Sequence, residues 1–136
     1  RVIPFNIQIM NKLLPFYDNV IEAEVTYSSD SENYFEFELE GETIKVENKY
    51  FPQGTIVKIT LPPEALSLAG DGIGNLKDVY IESVIYKGEQ NEIILESDER
   101  KWLMLSDTDE QVATYVPLAF DFSKAVFEVV GKAEEG

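Results

Sequence analysis

Apolar and polar residues alternate along most of the chain, and the clearest alternating segment occurs twice. The first copy, residues 56–68, sets Val57, Ile59 and Leu61 on one side of a predicted strand before a double proline. The second copy, residues 115–129, repeats the same order of strand, turn and short apolar segment 59 positions later. Repetition at one fixed offset predicts an internal duplication with length changes confined to loops.

The other alternating segments fall into the same two halves. Residues 20–25 and 35–39 alternate apolar with acidic side chains, which is typical of strands that have one buried and one solvated face. Residues 28–33 are polar and predict a hairpin loop, whereas residues 64–66 and 123–125 predict single helical turns. Further strands are predicted at residues 79–85, 93–95 and 102–105.

Short strands separated by polar turns predict an all-β fold, either one barrel or a pair of small packed barrels. The length of 136 residues suits one domain or two small intertwined units. We divide the chain into two units, a glycine-rich linker between them and two flanking segments. These are residues 1–18 (an added strand or a connecting segment), 19–68, 69–76 (the linker), 77–130 and 131–136 (a disordered tail).

The composition excludes several classes of chemistry. The chain has no cysteine and no histidine, so thiol nucleophiles, Ser-His-Asp triads, zinc hydrolase sites and histidine proton shuttles are excluded. Carboxylate dyads and carboxylate-only Mg or Ca sites stay open, although no spacing identifies a pair. No apolar run approaches the ~20 residues of a membrane span. We expect no resident cofactor or metal in this chain.

The chain is strongly acidic, with 26 Asp and Glu against 11 Lys and Arg and a formal net charge of −15. Such a surface repels phosphate backbones and anionic membranes, because binding to either depends on Lys and Arg. It attracts cationic ligands and basic protein surfaces, and it also serves solubility alone. Nucleic acid is therefore not an expected partner, and an OB-type nucleic-acid module is disfavoured.

Short motifs in the first unit resemble a known family. They are residues 19–25 (NVIEAEV), 54–57 (GTIV) and 61–68 (LPPEALSL). These motifs are similar to the transport-associated OB (TOBE) domain, which follows the nucleotide-binding domain in ATP-binding subunits of ABC importers. The family's last motif usually ends in Arg-Pro-Glu-Asp-Leu, and here Pro62 and Ala65 replace the arginine and the aspartate.

The second unit is most similar to the spermidine/putrescine importers of that family. Its motifs are residues 82–88 (ESVIYKG), 100–102 (RKW) and 116–121 (VPLAFD), followed by Phe122 where this subfamily usually has proline. The resemblance covers residues 19–130. It implies an OB-like or MOP-like barrel built from two duplicated TOBE-type units.

The resemblance also implies a function. It is that of a non-catalytic regulatory and dimerisation domain of a polyamine importer's ATP-binding subunit, with a role in sensing the cationic substrate. No Walker A, Walker B or ABC signature occurs, so the chain is expected neither to bind nor to hydrolyse ATP. The implied partners are the nucleotide-binding domain of the parent ATPase, a second copy of the chain and, indirectly, the membrane permease subunits. The implied location is the cytoplasmic side of the inner membrane, and Arg1 at the start predicts a piece of a longer protein.

A polyamine site needs carboxylates beside an aromatic ring, and the second unit offers both. Trp102, the only tryptophan, could place its ring against an ammonium group, a contact worth roughly 0.5–2 kcal/mol. The candidate carboxylates around it are Glu82, Glu92, Asp107 and Asp109. Core packing is the competing role for Trp102, while a solvated face is the expected place of Glu36, Glu38 and Glu40.

The main alternative is a stand-alone module that binds a small ligand, such as an oxyanion, on a MOP-like barrel. The acid excess argues against this alternative, because an anion site needs cations or backbone donors around it. A carboxylate-dyad enzyme is the remaining alternative.

Overall fold

The computed structural model describes residues 19–68, 74–107, 110 and 112–133. Within these ranges the only helical elements are two 3₁₀ turns, Pro63–Ala65 and Phe122–Lys124. The strands are β1 (Asn19–Glu24), β2 (Tyr27–Ser29), β3 (Tyr34–Leu39), β4 (Glu42–Glu47), β5 (Thr55–Leu61), β6 (Leu66–Leu68), β7 (Leu76–Lys87), β8 (Gln90–Glu96), β9 (Lys101–Ser106), β10 (Tyr115–Phe120) and β11 (Val126–Lys132). The prediction of an all-β fold is confirmed.

The strands form three sheets, in the orders β1-β5-β11, β2-β3-β4 and β6-β10-β7-β8-β9. Neighbouring strands are antiparallel throughout. The edge strands β6 and β9 of the largest sheet approach each other, so this sheet curls towards a barrel. No helix in the described ranges is long and apolar enough to cross a membrane.

The last strand of each unit pairs with a strand of the other unit. β6 lies beside β10, with Leu66 opposite Phe120, and β11 lies beside β5, with Phe127 opposite Ile59. The order β4, β5, 3₁₀ turn, β6 recurs as β9, β10, 3₁₀ turn, β11. The sheet that contains β5 and the sheet that contains β10 therefore each include a strand from the other unit, and the two units are intertwined.

The alternating segments bury one face, as their pattern predicts. On β5, Val57, Ile59 and Leu61 are fully buried, while the residues between them are partly exposed. Phe127 of β11 packs against Phe35 of β3, with ring centroids 6.1 Å apart. An aromatic side chain of the second unit thus lies against the core of the first, and this packing stabilises the exchange of strands.

The structure corrects the prediction of a disordered tail over residues 131–136. Lys132 belongs to β11, and the Ala133 N–H donates to the Gly54 carbonyl at 2.7 Å. The backbone is therefore hydrogen-bonded up to residue 133, while residues 134–136 lie outside the described ranges. The flanking segment 1–18 and residues 69–73 of the linker also lie outside them.

Two predictions about polar residues are corrected as well. The predicted loop 28–33 begins two residues later, at Asp30, because β2 continues to Ser29 before the chain reverses. Glu40 was expected on a solvated face, but only 3% of its side chain is exposed, because it contacts Arg100 and Ser97 of the second unit.

Candidate functional site: the inter-unit grooves

Trp102 lies in the core of the second unit. It is 1% exposed, and its ring centroid lies 5.0 Å from that of Phe120. Its Nε1–H donates to Ser97 Oγ at 2.9 Å, which satisfies its polar atom internally. The prediction that Trp102 offers an open ring to an ammonium ligand is wrong, and the competing role in core packing is the one observed.

Glu82 and Glu92 lie on the outer side of the sheet that buries Trp102. Glu92 and Trp102 have side chains on opposite faces of the paired strands β8 and β9. Glu82 Oε1 lies 2.9 Å from Lys101 Nζ, and Glu92 Oε2 lies 3.1 Å from Lys87 Nζ. Each carboxylate therefore already has an ammonium partner from its own unit.

The remaining two candidates do not complete the predicted site. Asp107 is exposed just beyond the end of β9, whereas Trp102 lies near its start. Asp109 lies outside the described residues. The structure thus does not assemble these side chains around Trp102, and no group of three or more metal-ligating side chains occurs among the described residues.

A buried polar network that the sequence did not reveal connects the two units. Ser97 Oγ–H donates to Glu40 Oε2 at 2.9 Å, and Arg100 Nε lies 3.1 Å from the same oxygen. The Arg100 contact is an ion pair whose N–H is not aligned as a hydrogen bond. Because Ser97 also accepts from Trp102, the network runs from a turn of the first unit into the core of the second.

Two surface grooves lie where the units meet, and the internal repeat relates them. The first groove, of about 480 Å³, lies between the end of β4 and the Phe122–Lys124 turn. The second, of about 390 Å³, lies between the end of β9 and β6. Their linings correspond at the 59-residue offset, with Val46 matching Leu105 and Phe127 matching Leu68. The duplicated fold therefore offers two equivalent concave positions.

The two grooves differ in charge. The second groove is lined by Glu64, Asp107 and Glu110, and the described part of its lining contains no lysine or arginine. The first groove carries Lys45 and Lys49 beside two acidic side chains. The two grooves thus correspond in position but differ in the charges of their linings.

The two lysines of the first groove rest on aromatic rings. Lys45 Nζ lies 4.3 Å from the Tyr34 centroid, and Lys49 Nζ lies 5.3 Å from the Phe127 centroid. Neither lysine forms an ion pair with another described residue. The first groove therefore presents two ammonium groups that have no carboxylate partner among the described residues.

Asp121 forms one wall of the first groove and caps the adjacent turn. Its Oδ1 accepts the Ser123 Oγ–H at 2.6 Å and the Ser123 N–H at 3.1 Å. These hydrogen bonds lower the pKa of the Asp121 carboxyl below its usual value, because they stabilise the charged form. The carboxylate is thus engaged within its own turn.

Neither a protein-family model nor a curated protein matches the chain. Motif residues 61–68 form the end of β5, the Pro63–Ala65 turn and β6, and motif residues 116–121 form most of β10. The motifs of the two units thus meet at the exchanged strands.

Proposed function

We propose that the chain is a non-catalytic regulatory and dimerisation domain of the ATP-binding subunit of a polyamine ABC importer of the spermidine/putrescine type. The observation that carries this proposal is the position of the TOBE-like motifs. The last motif of each unit, residues 61–68 and residues 116–121, lies where a strand passes to the other unit. These two motifs therefore coincide with the positions at which the units are connected.

A regulatory role fits the arrangement of the units better than a catalytic one. Glu40, Glu82 and Glu92 each form an ion pair with a cation of the chain, so these carboxylates are engaged within the fold. Because each unit contributes a strand to the other, a contact that displaces one unit also displaces its partner. The domain can thereby pass the effect of a bound partner across its full width.

The proposed partners are the nucleotide-binding domain of the parent ATPase, a second copy of the domain and, through them, the permease subunits at the cytoplasmic side of the inner membrane. The acidic surface supports a role in attracting the cationic substrate. The groove with Glu64, Asp107 and Glu110 is where that attraction is concentrated.

Calorimetry tests this function directly. We expect no heat of binding with Mg-ATP, no ATP hydrolysis and a saturable response to spermidine that Asp107→Asn weakens. Glu89→Gln, at an exposed turn, removes the same charge and serves as the control. Tight binding of sulfate or molybdate with no response to spermidine would overturn the proposal.

Two further tests bear on the transporter assignment. Sedimentation across concentration should reveal a dimer, and a strict monomer would remove the dimerisation role of the isolated chain. The parent gene product should carry a Walker A motif roughly 200–300 residues before Arg1, as expected for a nucleotide-binding domain of ordinary size.

A second candidate function is binding of an oxyanion or another small anionic ligand in the first groove. The observation that favours it is the pair of ammonium groups of Lys45 and Lys49, which lack carboxylate partners among the described residues beside a groove of about 480 Å³. Titration with sulfate and molybdate should then quench or enhance the fluorescence of Trp102, which contacts the groove residue Phe120. Lys45→Gln should weaken that response, whereas Lys58→Gln, outside the groove, should not.

A further inference from the structure

β11 is the open edge of a sheet. Within the described ranges it pairs only with β5, so half of its backbone N–H and C=O groups point away from that partner. The second half of β11 is guarded by a bulge between Val129 and Gly131 and by Lys132, both of which discourage strand pairing. Residues 126–129 contain neither a bulge nor a lysine, and Glu128 is their one charged residue.

Three valine side chains of this edge strand, Val126, Val129 and Val130, are exposed. Of nine large hydrophobic side chains that are exposed in the described ranges, four lie in the sheet β1-β5-β11. Val129 is opposite Val57, which is fully buried, yet Val129 itself is 55% exposed. Val129 therefore points to the core side of the sheet, and no strand of the described ranges lies beyond β11 to cover it. One more strand beside β11 would bury Val129.

On the outer face of the same sheet, a row with two valines lies next to a row with two glutamates. Val20 and Val126, 48% and 65% exposed, both lie opposite Thr60. In the next row Lys58 lies between Glu22 and Glu128, so that one lysine has a glutamate as its cross-strand neighbour on each side. A strand added beside β11 would meet aliphatic neighbours on both faces and an excess of negative charge at Glu128.

We propose that the open edge of β11 binds an extended segment of a protein partner that carries aliphatic side chains and a lysine or arginine. The segment adds a strand to the sheet, covers Val129 and places its cation against Glu128. This inference deepens the proposed function and depends on it only for the expectation that the domain has a protein partner.

A second copy of the chain fits this edge less well. It would bring another net charge of −15 and another Glu128 to the same contact. The dimer contact expected of the domain is therefore assigned to a different surface.

The probe for this inference is a capped peptide of alternating valine and lysine, added to the isotope-labelled chain and followed by NMR. We expect saturable shift changes confined to β11 and its neighbour β5. Peptides of valine with glutamate and of serine with lysine are the controls, and neither should bind comparably.

Substitutions on β11 test which side chains contribute to peptide binding. Val129→Ser should weaken peptide binding roughly fivefold to tenfold, because it removes an apolar group that the added strand covers. Glu128→Lys should weaken binding roughly threefold to tenfold through the loss of a charge pair. The matched controls are Val112→Ser and Glu89→Lys, which alter exposed residues elsewhere and should leave the affinity unchanged.

Three results would overturn the inference. One is protection of the outward β11 amides from hydrogen exchange in the free chain, which would mean that the edge is already occupied. Another is equal binding of the serine–lysine peptide, and the third is an equal loss with Glu89→Lys, since both would indicate unspecific charge attraction. None of these results alters the responses to ATP or spermidine, so the proposed function and this inference fail separately.

Discussion

The polar contacts between the units are made by a few buried side chains. Glu40 follows directly after β3 in a left-handed conformation, with φ of 51°, and contacts Ser97 and Arg100 of the other unit. Asn19, which is 4% exposed, exchanges hydrogen bonds with the backbone of Leu103 on β9 at 2.7 and 3.0 Å. These side chains add specific polar contacts between the units to the hydrophobic core that the units share.

Removal of the Glu40 carboxylate should destabilise the chain. Glu40→Ala leaves Ser97 and Arg100 without their shared acceptor, and we expect a loss of about 1–3 kcal/mol in the free energy of unfolding. Urea denaturation followed by Trp102 fluorescence measures this loss. Glu38→Ala, at an exposed position of the same strand, should change the stability by less than about 0.5 kcal/mol. Equal effects of the two substitutions would contradict the role of the network.

Asp121 should make the stability depend on acid. Since its pKa is lowered in the folded chain by the hydrogen bonds from Ser123, its stabilising contribution is present above the pKa of the unfolded chain. That contribution is lost as the pH falls through the folded-state pKa. Asp121→Asn should therefore reduce the loss of thermal stability on acidification, as measured by melting temperatures across acidic pH. Asp98→Asn, at an exposed turn, is the control, and the same change there would contradict this assignment.

At the scale of elements, the end of the linker is held firmly against β10. The Asn75 N–H donates to the Leu118 carbonyl at 2.8 Å, and Asn75 Oδ1 accepts the Phe120 N–H at 2.7 Å. Gly74 lies so close to this strand that an added Cβ would stand 2.9 Å from the Pro117 Cβ. The absence of a side chain at Gly74 is therefore what allows β7 to begin beside β10.

Gly74→Ala should consequently cost about 1–3 kcal/mol, because the new methyl group meets Pro117 and the backbone of Leu118. Gly131→Ala is the matched control, since an added Cβ there meets nothing within 4 Å. Thermal denaturation of both variants measures the difference. A Gly74→Ala variant as stable as the control would show that the linker shifts away from β10 without cost.

At the scale of the whole molecule, the exchange of strands makes the units one cooperative structure. β11 belongs to the second unit in sequence but completes the sheet of β1 and β5. Phe127 on that strand packs against Phe35 and Phe51 of the first unit. Neither unit can unfold without exposing part of the other's core.

Phe127→Ala should therefore destabilise both units together. The expected loss is about 2 kcal/mol, below that of a fully buried phenylalanine because Phe127 is half-buried. Circular dichroism and the fluorescence of Trp102, which lies in the second unit, should give coincident transitions shifted by the same amount. Val126→Ala, at a mostly exposed neighbour, is the control. Separate transitions would contradict the coupling of the units.

Part of this structure could be predicted from single residues and their spacing. Alternation located β1, β3 and β5, since the side-chain period of a strand is two and one face must be buried. The proline and serine positions after β5 and β10 located the two short turns. The candidate ligand site could not be predicted in this way. A sequence pattern of acids near a tryptophan does not specify on which face of the sheet each side chain lies.

The sequence by itself determined the all-β class and the repeated order of elements, because alternation and repetition are local properties of the chain. Only the tertiary structure decided that β6 and β11 exchange units, that Trp102 is buried and that Glu40 is drawn into an ion pair. Those outcomes depend on which distant strand supplies the best packing and charge partner. A strand carries the same alternation whichever neighbour it pairs with, so its partner is settled only when the complete core forms.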